Sequence, residues 1–311
     1  MLRAFLLIVV GLAGDPEHGK LFQKWGATLA EASGTVGVPP ERLVYLAEPA
    51  GEGETKVNGR ATREEIDKAL AGFAKTATAE DVVYVVLLGH GSADGGSGAK
   101  FNLPGPDMSP ADFNTLLRRL PTRNLVFVNT SSSSGPFVEG LSGPGRTIIT
   151  ATRNGAEQFT TLFGGFFVEA FSAEGADADK NKRVSMLEAF RYAKGEVTRA
   201  YEREGLLATE HSMLDDNGDK QGSQDPMPTG GDGKLAASMS LGSAADAVPL
   251  PSDPRLRALY VERRDLERRV EALRLLKDSM DPAKYTSELE QLVIDMARKT
   301  REIRAIEGAP K

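Results

Sequence analysis

The 311-residue chain contains no cysteine. Disulfides, thiolate catalysis and Cys-ligated zinc are therefore excluded, while the compartment stays open. There is no basic surplus either. The 38 Lys and Arg stand against 44 Asp and Glu, a net charge of −6, so no broad field attracts nucleic acid. No stretch approaches the ~20 apolar residues that a membrane span needs. The start, MLRAFLLIVVGLAGDPEHG, reads as a buried strand ending in a Gly turn, or as a short signal peptide. Its direct step into a helix-like segment favours the strand.

What the chain does have is apolar residues, 40% of the total, in alternating strand-like and helix-like blocks. Ala4–Val10, Leu43–Leu46, Val82–Leu88, Leu125–Val128 and Arg146–Ala151 read as strands, and Leu235–Leu241 could return as an edge strand. Val82–Leu88 is nearly all apolar, as a strand covered on both faces must be. Residues 18–32 read as a helix with Phe22, Trp25, Leu29 and Ala32 on one face. Thr62 with Glu65 forms a capping box, and Ser109-Pro110 opens another helix. Further helices are expected near 161–173 and 185–202. The alternation predicts an α/β fold with a mostly parallel sheet and helices on both faces.

Two loops carry the chemistry. DVVYVVLLGHGSADG (Asp81 to Gly95) presents His90 after a strand, and NLVFVNTSSSSG (Asn124 to Gly135) presents Ser131 to Ser134 after the next. Loops at the carboxyl ends of parallel strands form the binding crevice of such sheets. A His and a hydroxyl there suggest a nucleophile–base pair. Without His90 on a parallel loop, the serine run would read as a polar surface turn of small residues.

With ATREEI (61–66), VVYVVLLGHGS (82–92) and VSMLEAFRYA (184–193), these loops resemble the caspase–legumain superfamily of cysteine peptidases over residues 3–245. The resemblance implies a caspase-like three-layer sandwich on a mostly parallel six-stranded sheet. Carried over by position, His90 matches the catalytic His and Gly91 the residue whose N–H helps form the oxyanion hole. Ser134-Gly135 matches the trailing Ser-Gly, which puts Ser132 where the family has its Cys. Thr130 falls where some members carry an acid that reads a basic side chain. Thr130, Ser131 and Ser134 are thus the expected substrate-contacting positions. A hydroxyl is far less acidic than a thiol, so the expectation is a weak or silent peptidase that binds a peptide or protein partner. The alternatives are a working Ser132–His90 hydrolase, or an active ancestor whose Cys has been replaced.

No cofactor is required by this reading, though calcium is a candidate. DADKNKRVSMLE puts Asp177, Asp179 and Asn181 at positions 1, 3 and 5 of a calcium loop, with the Arg183 carbonyl, Ser185 and Glu188 at 7, 9 and 12. Lys182 stands where such loops have Gly, and Ser185 with Glu188 is also a capping box. LDDNGDKQG offers Asp215, Asn217 and Asp219, but Pro226 would fill position 12. GHGSADGGSGAK lacks P-loop spacing. His18 and His211 read as surface or loop residues without partners at ligand spacing.

The expected organisation is a caspase-like domain over 1–245, with a long acidic, Gly-rich loop at 206–234, and a linker at 246–253. A coiled-coil-like helical hairpin follows at 254–306, its two helices separated by Asp281-Pro282. The hairpin packs on itself or on the main domain, or serves as an arm for oligomerisation or partner binding. Bacterial relatives suggest export, so the compartment is periplasmic or secreted after loss of a leader, otherwise cytoplasmic.

Overall fold

The computed structural model describes residues 3–48, 57–94, 98–181, 183–241, 251, 253–275 and 280–307. One of its inner strands is β1 (Ala4–Val10), whose residues Leu6 to Val9 are all fully buried. Strand side chains alternate between faces, so one apolar run feeds two cores. Leu6, Ile8 and Val10 pack with Phe22, Phe163, Phe167 and Phe190 on one side. Phe5, Leu7 and Val9 pack with Ile66, Phe73, Phe113 and Phe137 on the other. Such a strand can exist only in the middle of three layers, and its composition needs no polar face.

Four further strands run parallel to it: β2 (Leu43–Leu46), β3 (Val82–Leu88), β6 (Asn124–Asn129) and β7 (Arg146–Thr150). The sixth, β8 (Met213–Asp215), is antiparallel to β7, and the sheet order is β2-β1-β3-β6-β7-β8. This is the α/β, caspase-like arrangement expected. A separate hairpin, β4 (Gly91–Asp94) and β5 (Gly98–Phe101), follows β3.

The first core face is covered by α1 (Pro16–Thr35), α5 (Phe163–Glu169) and α6 (Met186–Glu204); the second is covered by α2 (Arg63–Thr76), α3 (Pro110–Leu117) and α4 (Pro136–Leu141). Their starts follow local chemistry. Asp15 caps α1 by accepting from the N–H groups of Glu17 and His18, and Ser109 and Ser185 form full capping boxes with Asp112 and Glu188. Of the Thr62–Glu65 box only the Thr62 half forms.

Two expectations are corrected. Leu235–Leu241 is not an edge strand: α7 spans Lys234–Ser238, started by Gly233 in the left-handed region (φ 109°), and only Ser240 makes a bridge, to Ser185. The edge position belongs instead to Met213–Asp215, inside the segment read as a loop.

The C-terminal hairpin is α8 (Pro254–Leu275) and α9 (Pro282–Glu307). Leu266, Val270, Leu273 and Leu292 make a core of their own, joined by Tyr285, Leu289 and Met296. The expected linker at 246–253 lies, apart from residues 251 and 253, outside the described residues, as do 276–279 of the first hairpin helix.

Candidate functional site

The site sits where the chain turns back across the sheet. From β1 the path goes outward to β2 on one side and, after α2, to β3 on the other. That switch opens a crevice at the strands' carboxyl ends. β3 and β6 are neighbours in register, Leu87 beside Asn129. His90 and Ser132 each lie three positions beyond that pair, so the two loops leave the same end of the sheet side by side.

The loops touch closely. Ser132 Oγ donates to the Gly91 carbonyl at 2.9 Å and accepts from the Gly91 N–H at 3.3 Å. A Cβ at position 91 would lie 2.3 Å from the Ser132 carbonyl oxygen and 2.6 Å from Ser131 Oγ. Only glycine allows this approach. The hairpin secures the His90 side, because the Asn102 N–H donates to the His90 carbonyl (3.0 Å) while the Asn102 carbonyl accepts from Leu12 N–H (2.9 Å).

The serine run is not a surface turn. Thr130 to Ser134 are all buried, with Ser132 only 3% exposed. Thr130 Oγ1 donates to the Leu87 carbonyl (2.9 Å), Ser131 Oγ to Asn129 Oδ1 (2.7 Å), and Ser134 Oγ shares a hydrogen bond with Thr152 Oγ1 (3.1 Å). These three hydroxyls face the interior and brace the loop. Ser133 takes a left-handed conformation (φ 55°), its N–H donating to the Glu157 carbonyl (2.8 Å) and its hydroxyl to that of Gly155 (3.0 Å).

His90 is half-buried. Its ring meets Phe22 edge-on at 5.0 Å between centroids and His18 at 4.8 Å. Burial pushes its imidazole below the ordinary histidine value and the charge of His18 adds to this, against a hydrogen bond to the Ala13 backbone and the charge of Asp15. A neutral imidazole is the form that can accept a proton. The hydroxyl proton of Ser132, however, is directed to the Gly91 carbonyl rather than to this ring.

Sequence reasoning missed two residues here. His18 is part of the site, its Nδ1 2.6 Å from Asp15 Oδ2. A signal was present: Asp-Pro-Glu just after an apolar strand marks a helix start, and β1 adjoins β3. His211 also has a partner, Glu157 Oε1 at 2.7 Å; a separation of 54 residues hides it from any spacing rule.

A groove of about 1150 Å³ is lined by the β4–β5 hairpin, α3, α4 and residues after β7, among them Ala99, Pro110, Gly135, Val138 and Asn154. Neither His90 nor Ser132 lines it.

A sequence model of the Peptidase C13 family matches residues 65–225, which include both loops and the groove's main walls. The chain belongs to the Peptidase C13 family. No curated protein matches it. Membership accounts for the peptidase fold. No described helix is long and apolar enough to cross a membrane.

At the proposed cation loop, oxygens of Asp177, Asp179 and Glu188 lie within 4.8 Å of one another. Glu188 is already engaged there, Oε1 accepting from the N–H groups of Ala178 and Asp179 and Oε2 from Ser185. Asn181 and Arg183 contribute backbone N–H donors to the same turn. Lys182 lies outside the described residues.

Proposed function

We propose that this C13-family protein is a silent peptidase fold that binds peptides, with Ser132 in the place of the family's cysteine. The observation that carries this reading is the Ser132 hydroxyl, which gives its proton to the Gly91 carbonyl at 2.9 Å. A serine attacks a carbonyl only when a base takes that proton. Here the proton is held by a backbone acceptor, and no thiol is available to ionise unaided. Support for a binding role comes from the groove, whose lining includes Gly135, three residues past Ser132.

The second reading, a Ser132–His90 hydrolase, is favoured by the depressed imidazole of His90 and by the Gly91 N–H beside Ser132 Oγ, a donor suited to an oxyanion. Turnover of a broad peptide and ester panel separates the two. The first reading expects none, with peptides still bound; the second expects turnover lost in both Ser132→Ala and His90→Ala.

Two smaller assignments accompany this reading. Calcium would be held by Asp177, Asp179 and Glu188, with Asn181, Ser185 and the Arg183 carbonyl completing the shell; a calorimetric titration without heat removes it. The hairpin would be a contact arm, through exposed Val261, Val293 and Ile294; a monomer by light scattering that captures no peptide or protein partner removes that.

A further inference from the structure

The segment that opens α1 packs against His90 through two rings, those of His18 and Phe22. After β1 the chain passes Ala13 and enters α1, capped by Asp15. His18 and Phe22 are four apart on that helix, so they share one face, and both meet the His90 ring, at 4.8 Å and 5.0 Å between centroids with interplanar angles of 64° and 77°.

Asp15 divides its two oxygens. Oδ1 accepts from the N–H groups of Glu17 (2.9 Å) and His18 (3.0 Å) and so caps the helix. Oδ2 is left to hold His18 Nδ1 at 2.6 Å. The short contact orients the ring, because Nδ1 is the nitrogen that faces the carboxylate and Nε2 points away from it. His18 is thereby locked in rotation as well as in place. In serine-protease triads a carboxylate performs this service for the base directly; here one imidazole intervenes.

We propose that His18 is a positioning residue for His90: tethered by Asp15, it fixes one edge of the second imidazole and sets how readily that ring takes a proton. The charges acting on His90 are those of His18, which repels a proton there, and Asp15, which attracts one. The remaining neighbours from the serine loop and Phe22 are uncharged. The inference deepens the proposed site, since it concerns the base of that site. It does not need the site to turn over or bind anything.

The test is a histidine titration by NMR on the full chain. There are only three histidines, at 18, 90 and 211, so single substitutions assign every signal. His18→Phe keeps a ring against His90 and removes the charge; His18→Gln keeps a polar side chain at Asp15 and guards against a folding failure of the first. Both are expected to raise the His90 midpoint by about half a pH unit, the repulsion of two unit charges roughly 5 Å apart in a largely aqueous dielectric. A His90 midpoint that stays at the wild-type value in both variants overturns the proposal, whatever the peptide panel shows. Conversely, a raised midpoint with no peptide bound or turned over leaves this inference standing and discards the proposed function.

Discussion

Ser132 and Gly91 exchange two hydrogen bonds, hydroxyl to carbonyl at 2.9 Å and N–H to hydroxyl oxygen at 3.3 Å. This exchange joins the two loops that leave β3 and β6. It also occupies the one proton whose removal would make Ser132 a nucleophile.

Gly91→Ala should break that junction. The new carbon would be placed 2.3 Å from the Ser132 carbonyl oxygen, a backbone atom that cannot swing aside. The expected cost is about 2–3 kcal/mol, read as a lowered urea midpoint with an unchanged slope.

Arg3 and Asp81 tie the start of β1 to that of β3. The pair is bonded at 2.7 Å, and the Asp81 side chain is fully buried. Burial alone would raise the Asp81 carboxyl, but Arg3 and the N–H and hydroxyl of Thr78 outweigh it and hold the group below the usual carboxylate value. Its contribution is therefore present above the ordinary carboxylate range and lost as pH falls through the lowered native value. Arg3→Ala should cost about 2 kcal/mol at pH 7 and flatten the acid limb of a stability–pH curve.

Asp232 behaves oppositely. Burial first, then the charges of Asp215 and Asp216, push its carboxyl up to about 6, against hydrogen bonds from the N–H groups of Asp216 and Asn217. The native state keeps a proton that the unfolded chain has lost, so stability falls as pH rises from about 4 to 6 and stays lower above that window. Asp232→Asn retains an oxygen for both N–H donors. It should stabilise the protein by about 2 kcal/mol at pH 7 and remove the slope, as urea midpoints at pH 4, 5, 6 and 7 would show.

Much of the fold could be read because the central strands are apolar on both faces. Runs such as VVYVVLL and FLLIVV, with strand and helix signals alternating around them, suit a sheet covered on both faces. The β4–β5 hairpin escaped because Gly91–Asp94 and Gly98–Phe101 carry too few apolar side chains to show a period. β8 escaped because Met213 and Leu214 are too few to show a period in a three-residue strand inside an acidic stretch; its place is set by pairing with Thr150, Ile149 and Ile148. In the site, His90 and Ser132 were legible as loop ends after strands. The inward turn of Thr130 and Ser134, held by Leu87 and Thr152, and the contact of His18 with His90 depend on chain segments far apart in sequence, which no local pattern encodes.

The most direct test of a silent Ser132 is hydrolysis of the peptide and ester panel by the wild-type chain beside Ser132→Ala and His90→Ala. The three proteins should give the same background rate while the wild type still binds peptides. Wild-type turnover at least 10-fold above background by order of magnitude, about 1.4 kcal/mol of transition-state stabilisation, and lost in both variants, would contradict the account.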